Sequence, residues 1–283
     1  MYLLSLLYIF IVMECFSPQS VMRPGQDNSR DRVVVPCGKC TACLSTKRIQ
    51  WSVRLREQLK TSFSAYFVTL TYATPPKDGV NKYDVQCYMK RLRKRFKVPF
   101  KYYLCAEYGS QTHRPHYHFI VLFSSKPELY FSRSVEDVFV SAWSHGFVSV
   151  GTVTDASIAY TTKYMISKSF FPEGLTPPFH LVSKGLGKDY VSYMKQWHQD
   201  DVLGRSYVPL FDGVHASMPR YYKDKIYTDV QRRMMSSRYQ TERLVSLPDE
   251  SVTRSGDNVF QLADLSKQAI TRRVYNQLNK RKL

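Results

Sequence analysis

Two histidines two residues apart, two tyrosines four apart and three cysteines at intervals of three are the groups in this chain whose spacing could do chemistry. His116-Tyr117-His118 lies among strand-forming residues, where a side-chain period of two puts both imidazoles on one face and Tyr117 on the other. Two imidazoles on one face can hold one metal ion. If the preceding hairpin turns at residues 111 and 112, Glu107 stands opposite His116 and adds a carboxylate. A His-His-Glu set with open positions suits Mg²⁺ or Mn²⁺ acting on a phosphodiester, and Zn²⁺ on ligand type alone. A packed or surface histidine couple has the same spacing.

The tyrosines belong to a helix expected to begin with Asp155 as its cap and to run to about Lys168. At about 100° per residue, Tyr160, Lys163, Tyr164, Ser167 and Lys168 share one side, with Ile158, Thr162, Met165 and Ile166 opposite. Two phenols one turn apart can each attack phosphorus, leave a phosphotyrosine and free a 3′-hydroxyl, while Lys163 offsets the phosphorane charge. The bland reading is an amphipathic helix with surface tyrosines. Cys37, Cys40 and Cys43 give three thiolates, one short of a closed zinc site, and Cys15 is the expected fourth ligand of a structural Zn²⁺. Buried free thiols are the alternative.

Other elements must hold these groups in place. Residues 14–50, rich in Pro, Gly, Cys and basic residues, read as a small irregular module, and 49–63 as a helix. Tyr66 to Tyr72 has the aromatic and β-branched character of a strand, ended by Thr74-Pro75-Pro76-Lys77-Asp78-Gly79. Over 84–97, Val85, Met89, Leu92 and Phe96 form one helical stripe, while Lys90, Arg91, Arg93, Lys94, Arg95 and Lys97 cover the remainder and are expected to contact DNA phosphates. Strands follow at 101–107 and 115–123, a helix at 132–145 and a strand at 147–153. Residues 188–197 and 224–238 read as helices, and 266–283 as a basic helical tail.

With 283 residues and 43% hydrophobic content, the chain can bury a core. Its 41 Lys and Arg against 23 Asp and Glu give a formal charge of +18, so a polyanion is the leading partner. Aromatics at 14%, including 21 Tyr, suit base stacking on single strands, although core packing accounts for most of them. Residues 3–13 are apolar apart from Ser5, too short to span a bilayer, and lack a preceding basic residue, so a weakly packed extension is expected before a signal peptide. The cysteine spacing favours metal ligation in a reducing cytoplasm over a secreted disulfide framework.

Several of these segments, in order, resemble the motifs of replication initiators of gokushovirus-type Microviridae phages, within the HUH endonuclease superfamily. They are Phe67-Val68-Thr69-Leu70-Thr71-Tyr72, Glu107-Tyr108-Gly109, Arg114-Pro115-His116-Tyr117-His118 and Tyr160-Thr161-Thr162-Lys163-Tyr164. Pro36-Cys37-Gly38-Lys39-Cys40-Thr41-Ala42-Cys43 with Trp51 resembles the amino-terminal signature, and residues 179–187 a Pro-Phe…Ser-Lys-Gly segment. Met13-Glu14-Cys15-Phe16 is similar to the start of family members. The resemblance covers about residues 13–190 and implies an α+β fold: an antiparallel, RRM-like HUH palm with flanking helices and the metal histidines on a central strand. It also implies a paired-tyrosine mechanism, one phenol nicking the origin and the other resolving the displaced circle.

The expectation is therefore an amino-terminal extension and Cys-rich segment with a helix over 1–59, a nuclease core over 60–170, and a Pro-rich segment with a basic extension over 171–283. The function expected is a rolling-circle endonuclease with strand-joining activity. It would act on single-stranded and replicative-form viral DNA at the origin, alongside host replication proteins, in the host bacterial cytoplasm and away from membranes. Rivals are a plasmid initiator, relaxase or transposase of the same superfamily, and a non-catalytic zinc-knuckle nucleic-acid-binding protein.

Overall fold

The apolar run at residues 119–123 is buried on both faces and forms the middle of a five-stranded sheet. The computed structural model describes residues 15–22, 25, 32–109, 111–130, 134–167, 171–210 and 213–246; the side chains of 165–167 and 240–246 are outside that description. The expectations for residues 3–13 and 266–283 also lie outside it. In chain order the strands are β1 Gln19–Met22, β2 Arg32–Val35, β3 Ser64–Tyr72, β4 Phe100–Tyr108, β5 Pro115–Phe123, β6 Gly146–Thr152, β7 His180–Val182, β8 Tyr207–Pro209 and β9 His215–Ser217. The helices are α1 Thr41–Lys60, α2 Lys82–Arg95, α3 Val135–Ala142, α4 Asp155–Ser167, α5 Asp189–Gln199, α6 Arg220–Ile226 and α7 Asp229–Ser246. The fold is α+β.

Two compact units emerge, residues 48–196 and the described parts of 1–47 with 197–283. In the first, the sheet order is β6-β3-β5-β4-β7 and every pairing is antiparallel. The fifth strand comes from beyond residue 170. Cross-strand partners share a face, so two rows form on one side, here called the front. Phe147, Thr71, His116 and Glu107 make one; Ser149, Thr69, His118, Cys105 and His180 make the next. On this face Leu55 of α1 and Ile158 of α4 pack with Tyr103, Ile120, Leu122 and Leu186. On the back, Val85, Tyr88, Met89 and Leu92 of α2 and Val138 and Phe139 of α3 pack on Tyr117, Phe119, Val121 and Phe123.

Where β6 begins, a Cβ on Gly146 would strike the backbone of Ala73 and Thr71, so only glycine permits that close approach. The loop before α5 is tied to α1: Arg54 donates twice to the Leu186 carbonyl at 3.0 and 2.7 Å, and Gln58 Oε1 accepts from Gly187 N at 3.0 Å and Lys101 Nζ at 2.8 Å. In the second unit β1 pairs with β2, and β8 with β9. No helix among the described residues is long and apolar enough to cross a membrane.

Boundaries moved where side chains cap the chain. Helix α1 starts at Thr41, eight residues before the expected start at 49, directly after Cys40. The helix expected at 224–238 is split into α6 and α7, because Thr228 and Gln231 form a reciprocal capping box at 3.3 and 2.9 Å. Helix α4 is likewise capped by Thr154 and Ser157, which exchange bonds at 3.2 and 2.7 Å. Asp155, the expected cap, instead pairs with Arg56 at 2.6 Å.

Candidate active site and metal centre

Register places Glu107 opposite His116, as the hairpin turn required. Its side chain nevertheless leans diagonally to the second histidine: Glu107 Oε1 lies 2.6 Å from His118 Nε2. Each imidazole is also held through its other nitrogen. His116 Nδ1 stands 2.7 Å from the Arg114 carbonyl, and His118 Nδ1 3.0 Å from Thr69 Oγ1. With Nδ1–H donating to the Arg114 carbonyl, His116 keeps its Nε2 lone pair for a ligand. The same donation from His118 to Thr69 frees the second Nε2, now turned towards Glu107. Two oriented imidazoles and a carboxylate fit a divalent cation, although the direct His118–Glu107 bond occupies ligand atoms that such a cation would take.

Helix α4 brings both phenols onto this face. Tyr164 stacks on His118 with centroids 5.6 Å apart and planes at 11°, and Tyr160 meets the same ring edge-on at 5.0 Å. Tyr160 Oη reaches Glu107 Oε1 at 3.4 Å and its ring also touches Phe67. Tyr160 is 40% exposed, whereas Tyr164 joins the core around Ile158. Burial, and next the Glu107 charge, push both phenols above their usual pKa. Ionisation of either therefore needs compensating positive charge. Lys163 lies between them on the helix and is half-buried. The Ile158 side of the helix is packed, with Thr162 bonded to Ser52 at 2.8 Å.

Residues 65–170 match the family model for the replication-associated protein ORF2. These residues are a replication-associated protein ORF2 domain. Replication-associated protein VP4 of Bdellovibrio phage phiMH2K is 26% identical over 211 residues, 67% of this chain and 66% of that protein. Replication-associated protein ORF2 of Spiroplasma virus 4 is 27% identical over 259 residues, 74% of this chain and 80% of that protein. The chain thus spans just under two thirds of the first relative's length. No solved structure matches it.

The ORF2 domain contains His116, His118, Glu107, Tyr160, Lys163 and Tyr164, and its fold gathers both histidines, Glu107 and both tyrosines. It does not gather the α2 cations there. Lys90, Arg91, Arg93, Lys94, Arg95 and Lys97 follow α2 on the back of the sheet. Arg91 and Arg95, expected at DNA, are instead turned to the last turn of α3: Arg91 Nε donates to the Ala142 carbonyl at 2.6 Å and Arg95 to Ser141 Oγ at 2.7 Å. Carbonyls at a helix end lack intrahelical donors and favour positive charge, which is why these two arginines turn inward. Thr69 and the Arg114 carbonyl were not singled out in the sequence as imidazole partners. Only the strand register could have indicated Thr69, since it stands opposite His118.

Outside the domain lies a second ligand cluster. The sulfurs of Cys15, Cys37, Cys40 and Cys43 all fall within 4.8 Å of one another, the one such group of metal-binding side chains among the described residues. The cluster could hold a metal ion. Cys37 Sγ accepts from Lys39 N at 3.5 Å and Cys40 N at 3.4 Å, and Cys15 Sγ accepts from Cys37 N at 3.1 Å. The turn that aims these donors needs Gly38 at φ +74°. Backbone donors hold the Cys37 thiol down at about 6, while burial pushes Cys43 up to about 12.

Proposed function

We propose that this chain is a replication initiator that nicks and rejoins DNA at an origin through tyrosine. The observation that carries the reading is the packing of Tyr160 and Tyr164 on His118, beside Glu107 and on one face of the sheet. The names of the phage relatives support the biological setting. A divalent Mg²⁺ or Mn²⁺ held by His116, His118 and Glu107 would polarise the phosphate to be cut and stabilise its developing charge. Thr69 and the Arg114 carbonyl fix the imidazoles, and Lys163 faces the charge that grows on phosphorus. A phenolate oxygen attacks phosphorus and forms the P–O bond of a 5′-phosphotyrosine as the bond to the 3′-oxygen breaks. That oxygen takes up a proton and leaves as a 3′-hydroxyl. In joining, a 3′-hydroxyl attacks the phosphotyrosine and the phenol returns, so no nucleotide cofactor is required. On this reading the protein works on single-stranded and replicative-form DNA, beside host replication proteins, in the bacterial cytoplasm.

His116→Ala and His118→Ala are each expected to abolish covalent adduct formation on single-stranded DNA from the same genome, in Mg²⁺ or Mn²⁺. Full nicking by the double variant would remove the metal role. Absence of any tyrosine adduct in the wild type, with metal supplied, would favour a binding protein without catalysis. A plasmid-type initiator, relaxase or transposase would share the adduct and differ in the DNA it cuts.

The strand's path is suggested by the open edge of the front face. Phe147 is 68% exposed, and Ser149 and Gly151 beside it are exposed too. Phe147 shares a row with His116 two strands away, about 10 Å at the usual strand spacing. An unpaired base can stack there. Phe147→Ala should weaken single-stranded DNA binding about tenfold, within the usual range for one stacked base, and Phe147→Trp should retain it. Equal affinity for all three proteins in a fluorescence titration would move the strand elsewhere.

The four-cysteine cluster we assign to a structural Zn²⁺. Four thiolates complete a closed tetrahedral set, and backbone donors aimed at sulfur favour the thiolate form.

A further inference from the structure

Helix α2 carries the strongest unused charge in the core. Lys90, Arg93, Lys94 and Lys97 are exposed, and the spacing of the first three puts them on one outward stripe that Lys97 continues past the helix end. No carboxylate among the described residues pairs with any of them. Two are braced by aromatic rings, Arg93 over Tyr102 at 5.8 Å and Lys97 over Tyr130 at 5.2 Å. Arg91 and Arg95, bound to the end of α3, brace the helix itself.

Position separates this stripe from the front face twice. The sheet stands between them, since α2 packs on Tyr117 and Phe119 while the histidines point the other way. The helix also runs away from the site. Its start is held where the Tyr117 hydroxyl accepts from Asn81 N at 2.6 Å, and its end where Phe96 packs on Phe123 at 4.9 Å. Phe123 lies seven residues along β5 from His116, about 23 Å at the usual rise. A phosphate held at His116 and His118 is therefore out of reach of these cations.

We infer that the stripe is a separate binding surface for duplex DNA, gripping the phosphates of a segment other than the strand held at the front face. The inference rests on the reading of that face as the cleavage site. Four cations with no acidic partner complement a phosphate backbone, and the chain's +18 charge favours such an occupant. Duplex is favoured over single strand because the braced cations offer charge without a row of free aromatic faces for unstacked bases.

The test compares a random-sequence duplex with a short single strand, by anisotropy across a salt series, for wild type and the K90Q/R93Q/K94Q/K97Q variant. For duplex, the slope of log affinity against log salt should flatten by roughly 3 to 4, about 0.9 for each phosphate no longer neutralised. The short single strand should show a much smaller change. K90R/K94R/K97R, which keeps the charge, should restore the duplex slope and exclude misfolding as the cause. An unchanged duplex slope overturns the inference, and so does an equal change on the short strand, which would mean one strand wraps both faces. Adduct formation by the wild type is scored in parallel. An adduct with an unchanged slope sinks the stripe alone; a flattened slope with no adduct sinks the cleavage reading and leaves the duplex surface standing.

Discussion

Tyr160→Phe should lower nicking on the order of 10³-fold or more, the scale of losing a covalent nucleophile, whereas Tyr164→Phe should nick and then fail to release closed circles. The helix alone makes the two phenols equivalent, standing one turn apart. Their surroundings do not. Tyr160 is 40% exposed with its hydroxyl on Glu107, in position to meet an incoming strand. Tyr164 lies flat on His118 and is packed with the core, so a phosphate reaches it more readily once the first adduct has formed. Phe keeps either ring in place and removes only the hydroxyl, which separates chemistry from packing. Peptide mapping of the nicked complex should find the 5′-phosphate on Tyr160, and a circle-release assay should reveal the defect at Tyr164. A linkage mapped to Tyr72, Tyr108 or Tyr117, with both variants fully active, would end the paired-tyrosine mechanism. Reversed phenotypes would keep the pair and exchange the order.

What the sequence discloses about this site is its local geometry. The period of a strand is enough to pair His116 with His118, and the hairpin turn is enough to face Glu107 with His116. Helical spacing is enough to group Tyr160 with Tyr164. None of these periods reports which element lies against which, because that depends on packing between distant segments. Thus the diagonal bond from Glu107 to His118, and the stacking of Tyr164 on that ring, arise only when α4 returns to the sheet after β6. The α2 cations show the same limit. Their charge is plain in the sequence, but the side of the sheet they occupy is set by Val85, Met89 and Leu92 choosing the apolar face of β5. The inward turn of Arg91 and Arg95 depends on where α3 ends. Capping pairs such as Thr228 with Gln231 are legible in principle, and here they decide a helix boundary that the apolar pattern blurs.

Purified protein should contain one Zn²⁺ per chain, and Cys40→Ser should lose it. The four sulfurs come from two separated pieces of sequence, Cys15 before the β1–β2 hairpin and the Cys37, Cys40, Cys43 run after it. One ion would therefore close the hairpin at its base and fix the first turn of α1. Little else could do so: in β1 every residue is exposed and in β2 the burial only alternates between exposed and half-buried, and a two-stranded hairpin is marginal alone. Structural zinc contributes folding free energy directly, about 10–16 kcal/mol in small zinc modules. Chelation should accordingly lower the melting temperature by about 10 °C or more, since each kcal/mol moves a small unit by about 4–8 °C. It should also open residues 15–40 to proteolysis. A disulfide is the competing state, because the Cys40 and Cys15 sulfurs are 3.9 Å apart. Intact-mass measurement separates the two: a chain about 2 Da lighter and free of zinc would replace the metal site with a crosslink, and zinc unchanged in Cys40→Ser would put the ion elsewhere. Zinc lost from Cys40→Ser, with melting lowered as in the chelated wild type, is the result that a four-thiolate site requires.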